Sequence, residues 1–176
     1  MKTNKEGIAI MNREELDMFY TKWLAAGKDK SILLMGPCGV GKTEFMRGKG
    51  KNIISANDIV GRYMLKGMEG ITQPDDRGNP ILYFGSRHNC IDDIGTEVDA
   101  NHYGTKMDVI SYVIQLAYTS NRPYHFTTNL NTEELLKKYG PRVYDRLKEM
   151  TYMIILDDTT FRKLSTIDDI KEIMNS

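Results

Sequence analysis

Residues Gly36, Pro37, Cys38, Gly39, Val40, Gly41, Lys42 and Thr43 complete the pattern G-x-x-x-x-G-K-[ST]. Such a stretch does one kind of chemistry. Its glycines let the backbone curl until several N–H groups converge on phosphate oxygens. A lysine adds a point charge near the β- and γ-phosphates, and a hydroxyl faces Mg²⁺. Lys42 and Thr43 fill the last two roles. The pattern lies between an apolar run, Ile32 to Met35, and a helical segment, which is the context a phosphate-binding loop requires.

Hydrolysis at such a loop needs acids, and Asp92 and Asp93 follow the apolar pair Cys90-Ile91. Asp92 is expected to hold the Mg²⁺ shell with Thr43, and Asp93 to orient or deprotonate the attacking water. Asn129 ends the β-rich run PYHFTTN, where an amide reaches both the γ-phosphate and that water. Asn131 with Glu134 caps the next helix, which leaves Asn129 for this other role. Arg142 and Arg146 stand four apart after Pro141, hence on one helix face, where two guanidiniums either pair with acids or receive an anion.

These residues must be positioned by something, and the chain alternates strand-like with helix-like segments, the pattern of an α/β fold with a largely parallel sheet. Strands are expected at Ser31–Met35, Asn52–Ser55, His88–Asp92, Tyr124–Thr128 and Tyr152–Leu156. Helices are expected at 13–26, 43–48, 56–66, 105–119, 132–139 and 141–149. Asn12 with Glu15 forms a capping box for the first helix, whose Leu16, Phe19, Tyr20 and Trp23 recur at helical spacing. Residues 67–87 hold Gly and Pro between helices and read as a loop or hairpin insertion.

Composition narrows the classes. Hydrophobic residues are 40% of the 176, sufficient for one sizeable core, and no apolar run approaches a membrane span. The N-terminus shows no secretory signal, so a cytoplasmic setting is expected. Cys38 and Cys90 form no C-x-x-C pair, and His88 with Cys90 lacks the second ligand pair of a metal site. The 24 basic and 24 acidic residues cancel, so the overall field does not favour strong nonspecific binding of nucleic acid.

The order of these motifs resembles the AAA+ ATPases, and more closely the DnaC/IstB-like group of bacterial helicase loaders and transposition ATPases. GPCGVGKT (36–43) stands as Walker A, CIDDIGTE (90–97) as Walker B, TTNL (127–130) as sensor 1, YGPRVYDRL (139–147) as the arginine-finger box and TTFRK (159–163) as the late arginine segment. The resemblance implies a P-loop NTPase of AAA+ type, a parallel five-stranded sheet sandwiched by helices, forming a single domain over 1–176. It implies ATP and Mg²⁺ as substrate and cofactor. Asn129 would be the sensor 1 residue, Arg146 the finger with Arg142 second, Arg162 a nucleotide-contacting sensor 2-like arginine, and Glu97 a further catalytic acid. It also implies self-association, with the finger supplied in trans, and work with a replicative helicase or a transposase and with single-stranded DNA, away from membranes. Residues 1–29 are expected to form a short N-terminal helical segment in place of the loaders' partner domain, and no helical lid is expected after Arg162. A small-molecule kinase or a nucleotide-holding scaffold also uses a phosphate loop, but the Asp-Asp pair with a downstream asparagine argues against the kinase.

Overall fold

A computed structural model describes residues 2–27, 30–83, 90–120 and 124–157. Its sheet has the strand order β1-β2-β11-β3-β10-β7-β4. The central five are β11 (Thr151–Leu156), β3 (Ser31–Met35), β10 (His125–Thr128), β7 (Cys90–Asp92) and β4 (Ile53–Ser55), all mutually parallel. These are the five strands expected from the sequence, with ends shifted by a residue or two. Positions 88–89 of the expected third strand lie outside the described residues. Two further strands correct the count to seven: β2 (Ala9–Met11) runs parallel to β11, and β1 (Lys2–Thr3) is antiparallel to β2. Both are too short to show a period, so the N-terminal segment is part strand rather than wholly helical.

Alternation along the strands sorts the core into two layers, because successive side chains of a strand point to opposite faces. Ile32 and Leu34 of β3 pack with Leu16, Tyr20 and Trp23 of α1 (Arg13–Ala25) and with Phe45 and Met46 of α2 (Lys42–Gly48). Leu33 and Met35 face the other way, onto α3 (Ala56–Lys66), α4 (Val109–Thr119) and α5 (Thr132–Met150). The sheet is therefore covered on both sides. β3 is buried at all five positions, as a parallel strand under helices on both faces should be.

The expected capping box is present, with the Asn12 side chain accepting from the Glu15 N–H and Glu15 accepting from the Asn12 N–H. The aromatics of α1 are core. Tyr20 and Trp23 are buried, Trp23 donates its ring N–H to the Lys30 carbonyl at 2.9 Å, and its ring meets His125 edge-on. Two hairpins stand outside the main sheet. β5 (Thr72–Pro74) and β6 (Pro80–Leu82) form one within the 67–87 insertion, of which 84–87 lie outside the described residues. β8 (Ala100–His102) and β9 (Thr105–Met107) form the other, which corrects the expected helix start at 105. Asp108 explains the shift, since its carboxylate caps Ser111 and the helix opens only behind it.

Trp23→Ala is expected to destabilise the protein by about 3–5 kcal/mol through lost burial and an orphaned carbonyl partner, whereas Met18→Ala, at an exposed position on the same helix, changes stability little. Urea midpoints of the two variants against the native chain check this.

Candidate functional site

The loop between β3 and α2 runs past the end of β11. At Gly36 the backbone takes φ +139°, and a Cβ there would lie 2.7 Å from the Leu156 carbonyl oxygen, so glycine is required both by conformation and by space. Gly41 closes the loop as the N-cap of α2, which aims the helix's first N–H groups into a cleft of about 720 Å³. Arg13, Cys38, Gly39, Gly41, Lys42, Thr43, Glu44, Asp92, Asp93 and Asn129 line that cleft.

Lys42 is the electrostatic centre. Only 5% exposed, it donates to the Gly36 carbonyl (2.7 Å), the Pro37 carbonyl (2.8 Å) and the Asn129 side-chain oxygen (2.8 Å). The amide of Asn129 in turn donates to Asp93 at 3.2 Å. Thr43 donates its hydroxyl to the Asp92 carboxylate, 2.9 and 3.0 Å from its two oxygens. Thr127 stitches the acids together, since its hydroxyl donates to Asp92 and accepts from the Asp93 N–H at 2.9 Å. Asp93 itself sits at φ +55°, a left-handed conformation that Asp tolerates better than most side chains and that turns the chain away at the strand end. Cys90, buried beneath, has its thiol pushed upward in pKa by burial and by Asp92, so it stays neutral.

Lys42, Thr43, Asp92, Asp93 and Asn129 are thus brought together from three parallel strand ends. The remaining candidates lie elsewhere. Glu97, expected as a catalytic acid, does not line the cleft; it is buried, where its carboxylate accepts from the Gly95 N–H and the Tyr139 hydroxyl, both at 2.7 Å. Arg142 is exposed on α5. Arg146 donates to the Gln115 side chain at 2.9 Å and lies over the Tyr118 ring on α4. Neither arginine lines the cleft of its own chain. Arg162 lies outside the described residues.

Two cleft residues, Glu44 directly after the loop and Arg13, were missed by sequence reasoning. Arg13, the first residue of α1, donates to the Gly41 carbonyl at 3.2 Å and lies over the Phe45 ring, which places a guanidinium on the wall of the cleft. Nothing local in the sequence marks it. Its partner is distant in the chain, and the capping box around it signals only a helix start.

No protein-family model matches the chain, and no curated protein matches it significantly. Solved structures do. A crystal structure of the DnaC helicase loader superposes with a TM-score of 0.59 at 20% identity, over 88% of this chain and 97% of that one. A DnaI crystal structure gives 0.58 at 19% identity, over 86% and 85%. AMPPCP-bound DnaA from Aquifex aeolicus gives 0.50 at 12% identity, over 86% of this chain and 49% of that one. What these likenesses establish is the fold: the chain shares the α/β architecture of the DnaC and DnaI structures, a mostly parallel sheet between helices.

Proposed function

We propose that the protein binds ATP with Mg²⁺ and hydrolyses it, as a self-assembling AAA+ protein of helicase-loader type that acts in DNA replication. The observation that carries this reading is the hydrogen-bonded path from Lys42 through Asn129 to Asp93, set beside the Thr43–Asp92 pair. It joins, in one cleft, a phosphate-facing cation, an amide and two acids from distant parts of the chain. That set is what phosphoryl transfer to water requires.

The donor set fits the substrate. Thr43 and Asp92 present hard oxygens of the kind that Mg²⁺ takes, and the ion, when bound, neutralises charge building on the β- and γ-phosphates. Lys42 supplies N–H donors to phosphate oxygens in exchange for its present carbonyl partners. Asn129 holds the Asp93 carboxylate by its amide and keeps its own oxygen toward Lys42, so the acid that takes the water's proton is oriented from the same residue that senses the lysine. Arg13, on the wall of the same cleft, would add a second positive charge for a bound nucleotide. Arg142, exposed on the far half of α5, is the first candidate for a finger reaching a neighbour's γ-phosphate, with Arg146 second because α4 already holds it. The DnaC helicase loader among the similar structures supports a helicase as the partner in this reading.

Lys42→Ala should abolish ATP binding in a folded protein, and Asp93→Asn should retain binding while slowing turnover, since an amide still holds a water but cannot take its proton. Isothermal titration with ATP–Mg²⁺ and a phosphate-release assay read the two effects. Unchanged turnover in Lys42→Ala, or phosphoryl transfer to a small acceptor in place of water, overturns the reading.

Cys38 gives a second measure, being exposed on the loop itself. A thiol reagent should label Cys38 and spare buried Cys90, and ATP–Mg²⁺ should slow that labelling. Labelling indifferent to ATP would place the nucleotide elsewhere.

Sharing of the site between subunits predicts complementation. Arg142→Ala and Lys42→Ala, each inactive alone, should recover part of the activity when mixed, because a finger can be worth roughly 10³–10⁵ in rate. No recovery, with specific activity independent of protein concentration, would confine the site to one chain.

A further inference from the structure

Glu97 is 5% exposed, and a carboxylate is tolerated in such a place only when its oxygens are compensated. Here they are. Oε2 accepts from the Gly95 N–H and Oε1 from the Tyr139 hydroxyl, each at 2.7 Å. Lys138 adds its ammonium, which donates to the Glu97 carbonyl at 2.9 Å and stands 3.8 Å from Oε1. Burial and the neighbouring Glu97 both raise the pKa of the Tyr139 hydroxyl, so that group remains a donor.

Each side of this contact leads to residues the proposed reaction uses. Gly95 belongs to the turn that begins at Asp93. The turn is pinned to β10 by the Ile94 N–H on the Thr127 carbonyl and by the Thr128 hydroxyl on the Ile94 carbonyl. On the other side, Lys138 and Tyr139 end the first half of α5. Gly140, at φ +76°, then breaks the helix before the half that carries Arg142 and Arg146. A Cβ added at Gly140 would meet nothing within 4 Å. The break itself follows from Gly140 and from Pro141 behind it, which lacks the N–H that a continuous helix needs; Glu97 holds the two residues on the near side of that break.

We propose that Glu97 is a positioning residue that ties the acid turn to the break in α5, so that the geometry at the phosphates and the aim of Arg142 and Arg146 are set together. The proposal rests on the ATPase reading above and deepens it. Glu97 does not touch the nucleotide; it acts through Gly95 on one side and Tyr139 on the other.

The test uses the full chain and two conservative variants. Glu97→Gln keeps the volume but offers one carbonyl oxygen where two carboxylate oxygens accept, and Tyr139→Phe removes only the hydroxyl. The native chain, both variants and the double variant are measured for the Kd of ATP–Mg²⁺, for kcat, and for amide hydrogen exchange over residues 139–150 with and without ATP–Mg²⁺. The expected result is an unchanged Kd, a kcat lower by on the order of ten- to a hundredfold, and loss of an ATP-dependent exchange change that the native chain shows. The double variant should be no worse than the more damaged single one, because both break one strut. Native kcat in folded Glu97→Gln or Tyr139→Phe, an exchange response that survives them, or a loss confined to thermal stability overturns the proposal. A native chain that binds no ATP overturns the ATPase reading, and the proposal with it. One that hydrolyses ATP while 139–150 show no response overturns the coupling alone.

Discussion

A lysine ammonium that is almost wholly removed from solvent must be surrounded by acceptors, and Lys42 obtains them from two places at once: the loop that precedes it and the end of β10. That requirement fixes much else. The loop leaves the carboxyl end of β3, so β10 must lie beside β3, run in the same direction and stop at the same level, and its register places Thr128 against Met35. The next strand, β7, is paired to β10 so that its acids emerge one layer away. The positive charge, its amide partner and the carboxylates are thus delivered by three adjacent parallel strands. This is why the site sits where the strands end and not on either helical face.

Thr127 shows how little material joins these parts. Its hydroxyl is donor to one acid and acceptor for the backbone of the other, and its carbonyl accepts from Ile94. A single β-branched residue, buried at the end of β10, thereby sets the relation between two carboxylates of adjacent number whose surroundings differ. Asp92 is turned toward the phosphate loop, and Asp93 toward Asn129. In the proposed reaction, such different environments for like groups would let one serve an ion and the other a proton.

The parts of this arrangement that were legible in the sequence are those encoded by local spacing. The loop from Gly36 to Thr43, the acid pair and the five central strands each leave a contiguous signature of glycines, carboxylates or apolar runs. What was not legible depends on contacts across the fold. Arg13 belongs to the cleft only because α1 lies over α2, and no pattern near residue 13 reports that. β1 and β2 are two and three residues long and are strands because a neighbour pairs with them. β9 stands where the helix is expected to begin, at residue 105; the turn of Asp108 onto Ser111, which marks the true cap, lies three residues on. The family resemblance implies a catalytic role for Glu97; its burial and its two short hydrogen bonds, to the Gly95 N–H and the Tyr139 hydroxyl, depend on contacts across the fold that no local pattern reports.

The sheet ends in β4 on one side and in β1 on the other, three and two residues long. An exposed strand edge is a template on which further chains can add by backbone pairing, and short edges offer such a template almost no length. For the self-assembling form proposed above this would matter: association through backbone pairing would be indifferent to side chains and would not stop at a defined number. With both edges curtailed, copies are left to recognise one another by side chains on helices and loops, where a contact can be made specific, reversible and sensitive to what the cleft holds.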